Sequence, residues 1–121
     1  MANDRRKAEE QGRTAELIAL WSLRLRGWRL LAQRYKTHQG EVDLIMRRGG
    51  VTAFIEVKAR ASLEAAVQSV TPRQARRIAA AARQFMAEDR RAALQACRFD
   101  IVAVSPYHWP RHIENAFEGE A

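Results

Sequence analysis

Three acidic residues and one lysine in two short β-rich segments are the residues of this chain best suited to catalysis. Glu41 and Asp43 lie in Gly40-Glu41-Val42-Asp43-Leu44-Ile45, and Glu56 and Lys58 lie in Phe54-Ile55-Glu56-Val57-Lys58. Side chains alternate between the faces of a strand, so each pair shares one face. Grouped carboxylates are ligands for hard divalent cations such as Mg²⁺, and a nearby lysine can stabilise negative charge on a phosphate.

The pair Gly49-Gly50 between these segments predicts a β-hairpin, because both glycines tolerate the positive φ of a tight turn. A two-residue turn pairs Arg48 with Val51 and places Asp43 opposite Glu56, with Cβ atoms ~5 Å apart. A four-residue loop keeps the faces matched, whereas a three-residue loop separates them. Two carboxylates at ~5 Å repel by roughly 3 kcal/mol at an effective dielectric of about 20, so the pair needs a proton, a cation or a metal.

A partly buried cluster of salt bridges is the alternative to a metal site. The same register puts Glu41 opposite Lys58, and an acid facing a lysine across a hairpin is an ordinary ion pair. The neighbouring residues are apolar on both faces, which indicates buried strands, where charges must be paired or bind something. Residue chemistry alone favours the metal site, and the cluster of salt bridges stays as the alternative interpretation.

The surrounding pattern predicts one small mixed sheet with helices packed on it, in the order α-β-β-β-α-β with a further short strand. Residues 1–11 are predicted to be a flexible lead, and residues 61–70 a loop. Gly27 is placed to end the first helix, and Thr71-Pro72 is a helix start, with Thr as N-cap and Pro in the first turn. The predicted helices are residues 14–26 and 72–89; the predicted strands are residues 28–35, 41–48, 51–58, 98–104 and 111–114.

Length and composition indicate one globular domain over residues 1–121 with an anionic partner. The chain has 121 residues, 47% of them hydrophobic, and a net charge of +7. Nucleic acid is the commonest partner of so basic a domain. No apolar run approaches the ~20 residues that cross a bilayer, so no membrane association is expected. The single cysteine, Cys97, is expected to be a buried thiol in a reducing cytoplasm.

Several pieces of the chain, taken in order, resemble a known family. Asp43 followed by Glu56-Val57-Lys58 matches the D…(D/E)-x-K signature of the PD-(D/E)XK nuclease superfamily, and residues 12–117 more closely resemble the YraN family of small bacterial endonuclease-like proteins. The matching pieces are Gly12…Ala15-Glu16…Ala19, Gly40-Glu41-Val42-Asp43-Leu44-Ile45, Phe54-Ile55-Glu56-Val57-Lys58-Ala59-Arg60, Val70-Thr71-Pro72-Arg73, Arg98-Phe99-Asp100-Ile101-Val102 and Ile113-Glu114-Asn115-Ala116-Phe117.

The resemblance implies a restriction-endonuclease-like αβββαβ core and a role for each site residue. Asp43 and Glu56, with the backbone carbonyl of Val57, would hold Mg²⁺ or Mn²⁺. Lys58 would position or deprotonate the attacking water and stabilise charge on the phosphate. Glu16, on the first helix, would approach the metal through water. Its alternative role is that of an acidic residue in the first turn of a helix, favoured by the helix dipole.

The expected nucleic-acid surface is the outward face of the second helix and the end of the lysine motif. Arg60 borders the proposed site and is the best candidate for gripping a substrate phosphate. Arg73, Arg76 and Arg77 lie off the apolar stripe of the helix, where a solvated polar face is the alternative. Gln74, between these arginines, is also expected to contact nucleic acid; it stands where relatives often carry a lysine, a departure that bears on activity.

Three functions follow from these observations. The first is an Mg²⁺-dependent nuclease that hydrolyses DNA, with branched or damaged DNA as its substrate. The second is a nucleic-acid-binding protein whose nuclease fold is catalytically dormant. The third is a protein-interaction module with a structural charge cluster. A domain of this size would need a partner or a second copy, as in a homodimer, to build a long substrate groove, and the sequence carries no clear interface signature.

Overall fold

A computed structural model describes residues 2–118 of the chain, with side chains from Asp4 onward. Its described part is one five-stranded mixed sheet flanked by four helices. The helices are α1 (Ala2–Arg24), α2 (Leu63–Gln68), α3 (Pro72–Glu88) and α4 (Arg90–Leu94), and the strands are β1 (Arg29–Lys36), β2 (Glu41–Arg48), β3 (Val51–Ala59), β4 (Ala96–Ser105) and β5 (His108–Ile113). The predicted αβββαβ order with a final strand is therefore confirmed.

Three features of the helices differ from the prediction. Helix α1 begins at Ala2 rather than near Thr14, because residues 2–11 are mostly good helix formers although they carry no apolar stripe. Met1 lies outside the described residues. The predicted loop 61–70 contains α2, whose N-cap Ser62 accepts a hydrogen bond from the Ala65 N–H. Helix α4, which follows α3 after Asp89 alone, was also missed.

Two predicted helix ends are confirmed in atomic detail. Gly27 has φ +91°, and the Trp28 N–H donates to the Leu23 carbonyl at 3.1 Å, which closes the C-terminus of α1 in a glycine-capped turn. Thr71 caps α3 by accepting a hydrogen bond from the Gln74 N–H at 3.1 Å, with Pro72 in the first turn.

The sheet has the strand order β1-β2-β3-β4-β5, and only the β3–β4 pair is parallel. The β2–β3 ladder runs from Arg48 opposite Val51 to Leu44 opposite Ile55, as the two-residue turn predicts. Gly49 takes the positive φ of that turn at +59°. Because β3 and β4 are parallel, α2, α3 and α4 form the crossover between them.

Each face of the sheet carries its own apolar core. Helix α1 packs Ala19, Leu20 and Leu23 on one face, against Leu44, Met46 and other residues of the strands. Helix α3 packs Ile78, Ala82 and Phe85 on the other face, against Ile45 and Phe54 among others. The apolar stripe that the sequence of α3 predicts is thus the buried one. None of the helices in the described part of the chain is long and apolar enough to cross a lipid bilayer.

One contact fixes α3 against the start of β2. A Cβ atom built on Gly40 would lie 1.8 Å from the backbone oxygen of Arg77, so only glycine allows this approach. Gly40 directly precedes Glu41, and Arg77 lies one turn into α3. The contact therefore holds the first turns of α3 beside the acidic residues of the candidate site.

Candidate active site

The β2 and β3 strands stop pairing at the point where the motif residues begin. Their ladder ends at Leu44 and Ile55. Beyond it, Asp43 Oδ2 accepts a hydrogen bond from the backbone N–H of Val57 at 2.8 Å, so a side chain takes the place of the next ladder bond. The N–H and C=O of one strand residue point to the same side, so the Val57 carbonyl also faces β2. Asp43 is positioned by this bond.

Glu56 lies beside Asp43 and is almost fully buried, with 8% of its surface exposed. Burial, with the hydrogen bond and the negative charge of Asp43, raises the pKa of Glu56 to about 9, and Lys58 offsets only part of this rise. Near neutral pH the pair therefore holds a proton on Glu56 unless a cation replaces it. The two acids lie together as the hairpin predicted.

Lys58 is held by a residue of the crossover helix. In the amide orientation that satisfies both its polar atoms, Gln74 accepts a hydrogen bond from Lys58 Nζ at 3.0 Å and donates one to the Ser69 carbonyl at 3.1 Å. Gln74 was predicted to contact nucleic acid. In this structure it lies inside the groove and links Lys58 to the turn between α2 and α3.

Glu16 reaches the same region from α1 and is engaged by an arginine. Arg34 donates from Nε and Nη2 to the two carboxylate oxygens of Glu16 at 3.2 and 2.9 Å, a bidentate pair. The Glu16 side chain is 11% exposed and that of Arg34 is 39% exposed. The hydrogen bond to Glu16, together with the charges of Glu16 and Asp43, raises the pKa of Arg34 above its ordinary value.

Arg34 has an unusual backbone conformation that no pattern in the sequence predicts. Its φ is +51°, in the left-handed region that non-glycine residues rarely adopt. This conformation lies on the edge strand β1, where the backbone is free to depart from the ladder. The arginine is thereby part of the site although no motif pointed to it.

The acidic residues, Lys58 and Gln74 line one groove of about 350 Å³ between α1, α3 and the β2–β3 strands. Its lining comprises Gly12, Glu16, Glu41, Asp43, Glu56, Val57, Lys58, Gln74, Arg77 and Ile78. A neighbouring groove of about 360 Å³ shares Glu16, Glu41 and Asp43, and adds Arg13, Arg34 and Lys36. The carboxylates thus lie between basic side chains on both sides, an arrangement that suits a phosphate-bearing chain crossing the acids.

The predicted phosphate contacts are only partly brought to the groove. Arg77 lines it, whereas Arg73 and Arg76 are on α3 outside it. Arg60 lines a different cavity, of about 650 Å³, beside α1 and Tyr107. Arg60 therefore does not line the groove, and its contact with a substrate phosphate stays a prediction.

The donor set fits a divalent cation held by few protein ligands. Among residues 4–118, no three His, Cys, Asp or Glu side chains lie close enough to enclose a metal by themselves. Asp43 and Glu56 offer carboxylate oxygens at one point, where the raised pKa of Glu56 marks a deficit of positive charge. Mg²⁺ commonly binds through one or two carboxylates and keeps several waters, so this set suits it. Glu41 lines the groove without completing a cage.

A second buried carboxylate, Asp100, is fully satisfied by its neighbours. Arg98 donates to both of its oxygens, His112 Nε2 donates to Oδ2 at 2.7 Å, and the Asn115 N–H donates to Oδ1 at 2.8 Å. Burial alone would raise the pKa of Asp100, but these hydrogen bonds outweigh it and hold the pKa below its usual value.

Cys97 is half-buried rather than fully buried as predicted. Its thiol donates to the Ala92 carbonyl at 3.2 Å, and burial raises its pKa. A raised thiol pKa disfavours the thiolate that a nucleophile needs, in agreement with the structural role expected of this residue.

Comparison with known proteins gives consistent matches over most of the chain. Residues 15–104 match the family described as "Uncharacterised protein family UPF0102". The chain is 47% identical to a UPF0102 protein of Methylocella silvestris, over 97% of this chain and 94% of that protein. It is 45% identical to one of Mesorhizobium japonicum, over 95% and 92% of the two chains, and 47% identical to one of Methylorubrum extorquens, over 96% and 91%.

Proposed function

The chain belongs to the UPF0102 family, and on that premise we propose that it is a metal-dependent nuclease that hydrolyses phosphodiester bonds of DNA. The proposal rests on two grounds: the resemblance of the sequence to the PD-(D/E)XK nucleases, and the groove that contains Asp43, Glu56 and Lys58. Branched or damaged DNA is the proposed substrate, because two adjoining grooves meet at the acids and leave room for a strand that departs from a regular duplex.

The observation that carries the proposal is the paired state of Asp43 and Glu56. A buried glutamate whose pKa is raised to about 9 by burial and a neighbouring carboxylate is held at a cost in folding stability. Such an arrangement is typical of functional sites, since a fold that needed only stability would have paired or removed the acid. A lysine 3.0 Å from a fixed amide oxygen adds a positioned cation at the same point.

The proposed role of each residue is the one that the family resemblance implies. Asp43 and Glu56 would hold Mg²⁺ or Mn²⁺ with the help of the Val57 carbonyl, and the bound ion would lower the pKa of a water molecule and polarise the phosphate. Lys58, oriented by Gln74, stabilises negative charge on the phosphate oxygens during attack. Glu16 would approach the metal through water, and Arg34 fixes the direction of the Glu16 carboxylate.

A nucleic-acid-binding protein with a dormant site is the second candidate. It is favoured by one observation: among the described side chains, the groove offers no third ligand close to Asp43 and Glu56. In that case the basic residues on both sides of the groove bind phosphates while the acids stay protonated or ion-paired.

Cleavage assays separate the two candidates. Branched, single-stranded and duplex DNA are incubated with the protein in Mg²⁺, in Mn²⁺ and in chelator. Cleavage that requires metal and is lost in both Glu56→Ala and Lys58→Ala, but is kept in the exposed control Glu64→Ala, supports the nuclease. Binding to DNA without cleavage of any substrate in either metal overturns it in favour of the dormant protein.

A further inference from the structure

The end of the sheet farthest from the groove holds a depression lined by arginines. Arg29 begins β1, Arg47 and Arg48 end β2, and Arg91 lies in α4. These four residues, with Gly27, Leu31 and Gly49, line a depression of about 170 Å³ that has no acidic residue in its lining. A cavity of this size is too small for a drug-sized ligand, which takes at least ~300 Å³, but it is large enough for a phosphate group.

One of the four arginines is already neutralised. Arg47 donates from Nη2 to Asp89 Oδ1 at 2.9 Å and to Thr52 Oγ1 at 3.0 Å, and its side chain is 8% exposed. Asp89 also caps α4 by accepting from the Ala92 N–H at 2.9 Å. This pair is a structural bond between the hairpin and α4, and its charge is not available to a ligand.

The other three arginines have no acidic partner among the described side chains. No ion pair within residues 4–118 includes Arg29, Arg48 or Arg91, and all three are exposed. Arg48 is nevertheless held in place: it donates to the Arg26 carbonyl at 3.3 Å, and its guanidinium lies 4.8 Å from the centre of the Trp28 ring. These three residues are called the arginine end below.

The surrounding sequence adds to the imbalance of charge. Arg24 and Arg26 lie just before Gly27, and Arg90 begins α4, while Glu88 and Asp89 are the acidic residues next to α4. Basic residues therefore outnumber acidic ones at this end of the sheet. Guanidinium groups that line one depression without counter-ions repel one another, and an anion with several oxygens relieves that repulsion.

We propose that the arginine end binds backbone phosphates of a duplex DNA arm that leaves the groove. The inference rests on the proposed function for the identity of the polyanion. Asp43 and Arg48 are five residues apart on β2, a distance of ~17 Å along the strand. Phosphates of one DNA strand follow one another at about 3.4 Å along the duplex axis, so a separation of this size corresponds to about five base pairs.

Duplex binding in chelator tests this site without requiring catalysis. The variant Arg29→Gln/Arg48→Gln/Arg91→Gln is compared with Arg5→Gln/Arg6→Gln/Lys7→Gln, which removes the same charge from the exposed start of α1. The first variant is expected to weaken binding of a 20-base-pair duplex by about 10- to 100-fold near 100 mM salt, and to reduce the slope of log K against log salt by about 2 to 3. The control variant is expected to change affinity less than threefold.

Because Arg48 packs on Trp28, the double variant Arg29→Gln/Arg91→Gln is measured as well, and it is expected to reduce the salt slope by about 2. Equal losses in the arginine-end and α1 variants, or an unchanged salt slope in the double variant, overturn the proposal. If the wild type cleaves no DNA but the arginine-end variants still lose duplex binding, the nuclease fails and the binding site stands.

Discussion

Glu56 and Asp100 are both buried carboxylates on central strands, yet their pKa values are shifted in opposite directions. Glu56 on β3 is 8% exposed and Asp100 on β4 is fully buried. Asp100 receives hydrogen bonds from Arg98, His112 and the Asn115 N–H, and its pKa is lowered. Glu56 faces another carboxylate, and its pKa is raised to about 9.

The difference shows that burial of an acid does not by itself mark a functional site. The neighbours of Asp100 neutralise it, and the result is a fixed junction between β4, β5 and the turn that follows. The neighbours of Glu56 leave a deficit of positive charge that only a proton or a cation from outside can fill. Glu56, whose partners within the protein do not neutralise it, is therefore the candidate for binding a cation.

The largest expected effect is that of Asp100→Asn. Loss of this charge leaves the partly buried Arg98 facing a neutral amide and weakens the His112 contact, so unfolding in urea at pH 7 should show a loss of about 3–5 kcal/mol. The exposed control Asp4→Asn should change stability by less than ~0.5 kcal/mol. The lowered pKa means that this stabilisation is present above pH ~4 and is lost as the pH falls further. A loss under ~1 kcal/mol would show that the hydrogen bonds to the Asp100 carboxylate do not stabilise the fold as described.

Glu56→Gln is expected to raise folding stability near neutral pH, whereas Asp100→Asn lowers it. An acid with a folded-state pKa near 9 and an unfolded value of 4.5 favours folding at low pH, and that contribution disappears as the pH rises between them. The wild type should therefore lose up to about 1.4 kcal/mol per pH unit in this window from Glu56, and Gln should remove this slope. At pH 7 in chelator the variant should be more stable by up to about 3 kcal/mol. Parallel stability curves from pH 5 to 9 for the variant and the wild type would refute the raised pKa.

Divalent cations should stabilise the Glu56 region and leave the Asp100 region unaffected. At 100 times the Kd, Mg²⁺ or Mn²⁺ stabilises the folded state by about 2.7 kcal/mol, which differential scanning calorimetry at pH 8 would record as a higher Tm. The shift should be absent in Glu56→Gln and unchanged in Asp4→Asn. An equal rise in Tm for the wild type and Glu56→Gln would place the cation somewhere else.

Gly40→Ala should disturb the groove while sparing Asp100. The added Cβ would meet the Arg77 backbone, so α3 and β2 must move apart, at a cost of about 1–3 kcal/mol in urea unfolding. Gly50→Ala is the matched control, because nothing lies within 4 Å of its Cβ position, and it should stay within ~0.5 kcal/mol of the wild type. Chemical shifts of Lys58 should change in Gly40→Ala, and those of His112 should not. Unchanged Lys58 shifts would mean that the groove does not depend on this contact.

The parts of the site that the sequence predicts are those governed by local rules. The glycine pair specifies the turn of the hairpin, and the period of two then specifies which residues oppose one another, so the residue pattern alone places Asp43 and Glu56 together. The apolar stripe of α3 and the caps at Gly27 and Thr71 follow from equally local patterns.

The parts that the sequence did not predict depend on packing between distant elements. Arg34 meets Glu16 only because α1 crosses β1, and Gln74 meets Lys58 only because the crossover helix packs over β3. No periodicity encodes these contacts. The start of α1 was missed for a different reason. Its first turns have helix-forming residues but no buried face, so hydrophobic periodicity does not indicate a helix there.

Trp28 is in contact both with Arg48 of the arginine end and with the residues that surround Asp100. Its ring has the guanidinium of Arg48 at 4.8 Å and that of Arg98 at 5.5 Å, and His112 meets it edge-on at 5.7 Å. Trp21 and Trp109 are largely exposed, whereas Trp28 is 3% exposed. Its fluorescence can therefore be resolved from theirs by its shorter emission wavelength, and it gives this chain an intrinsic optical reporter placed between the arginine end and the surroundings of Asp100.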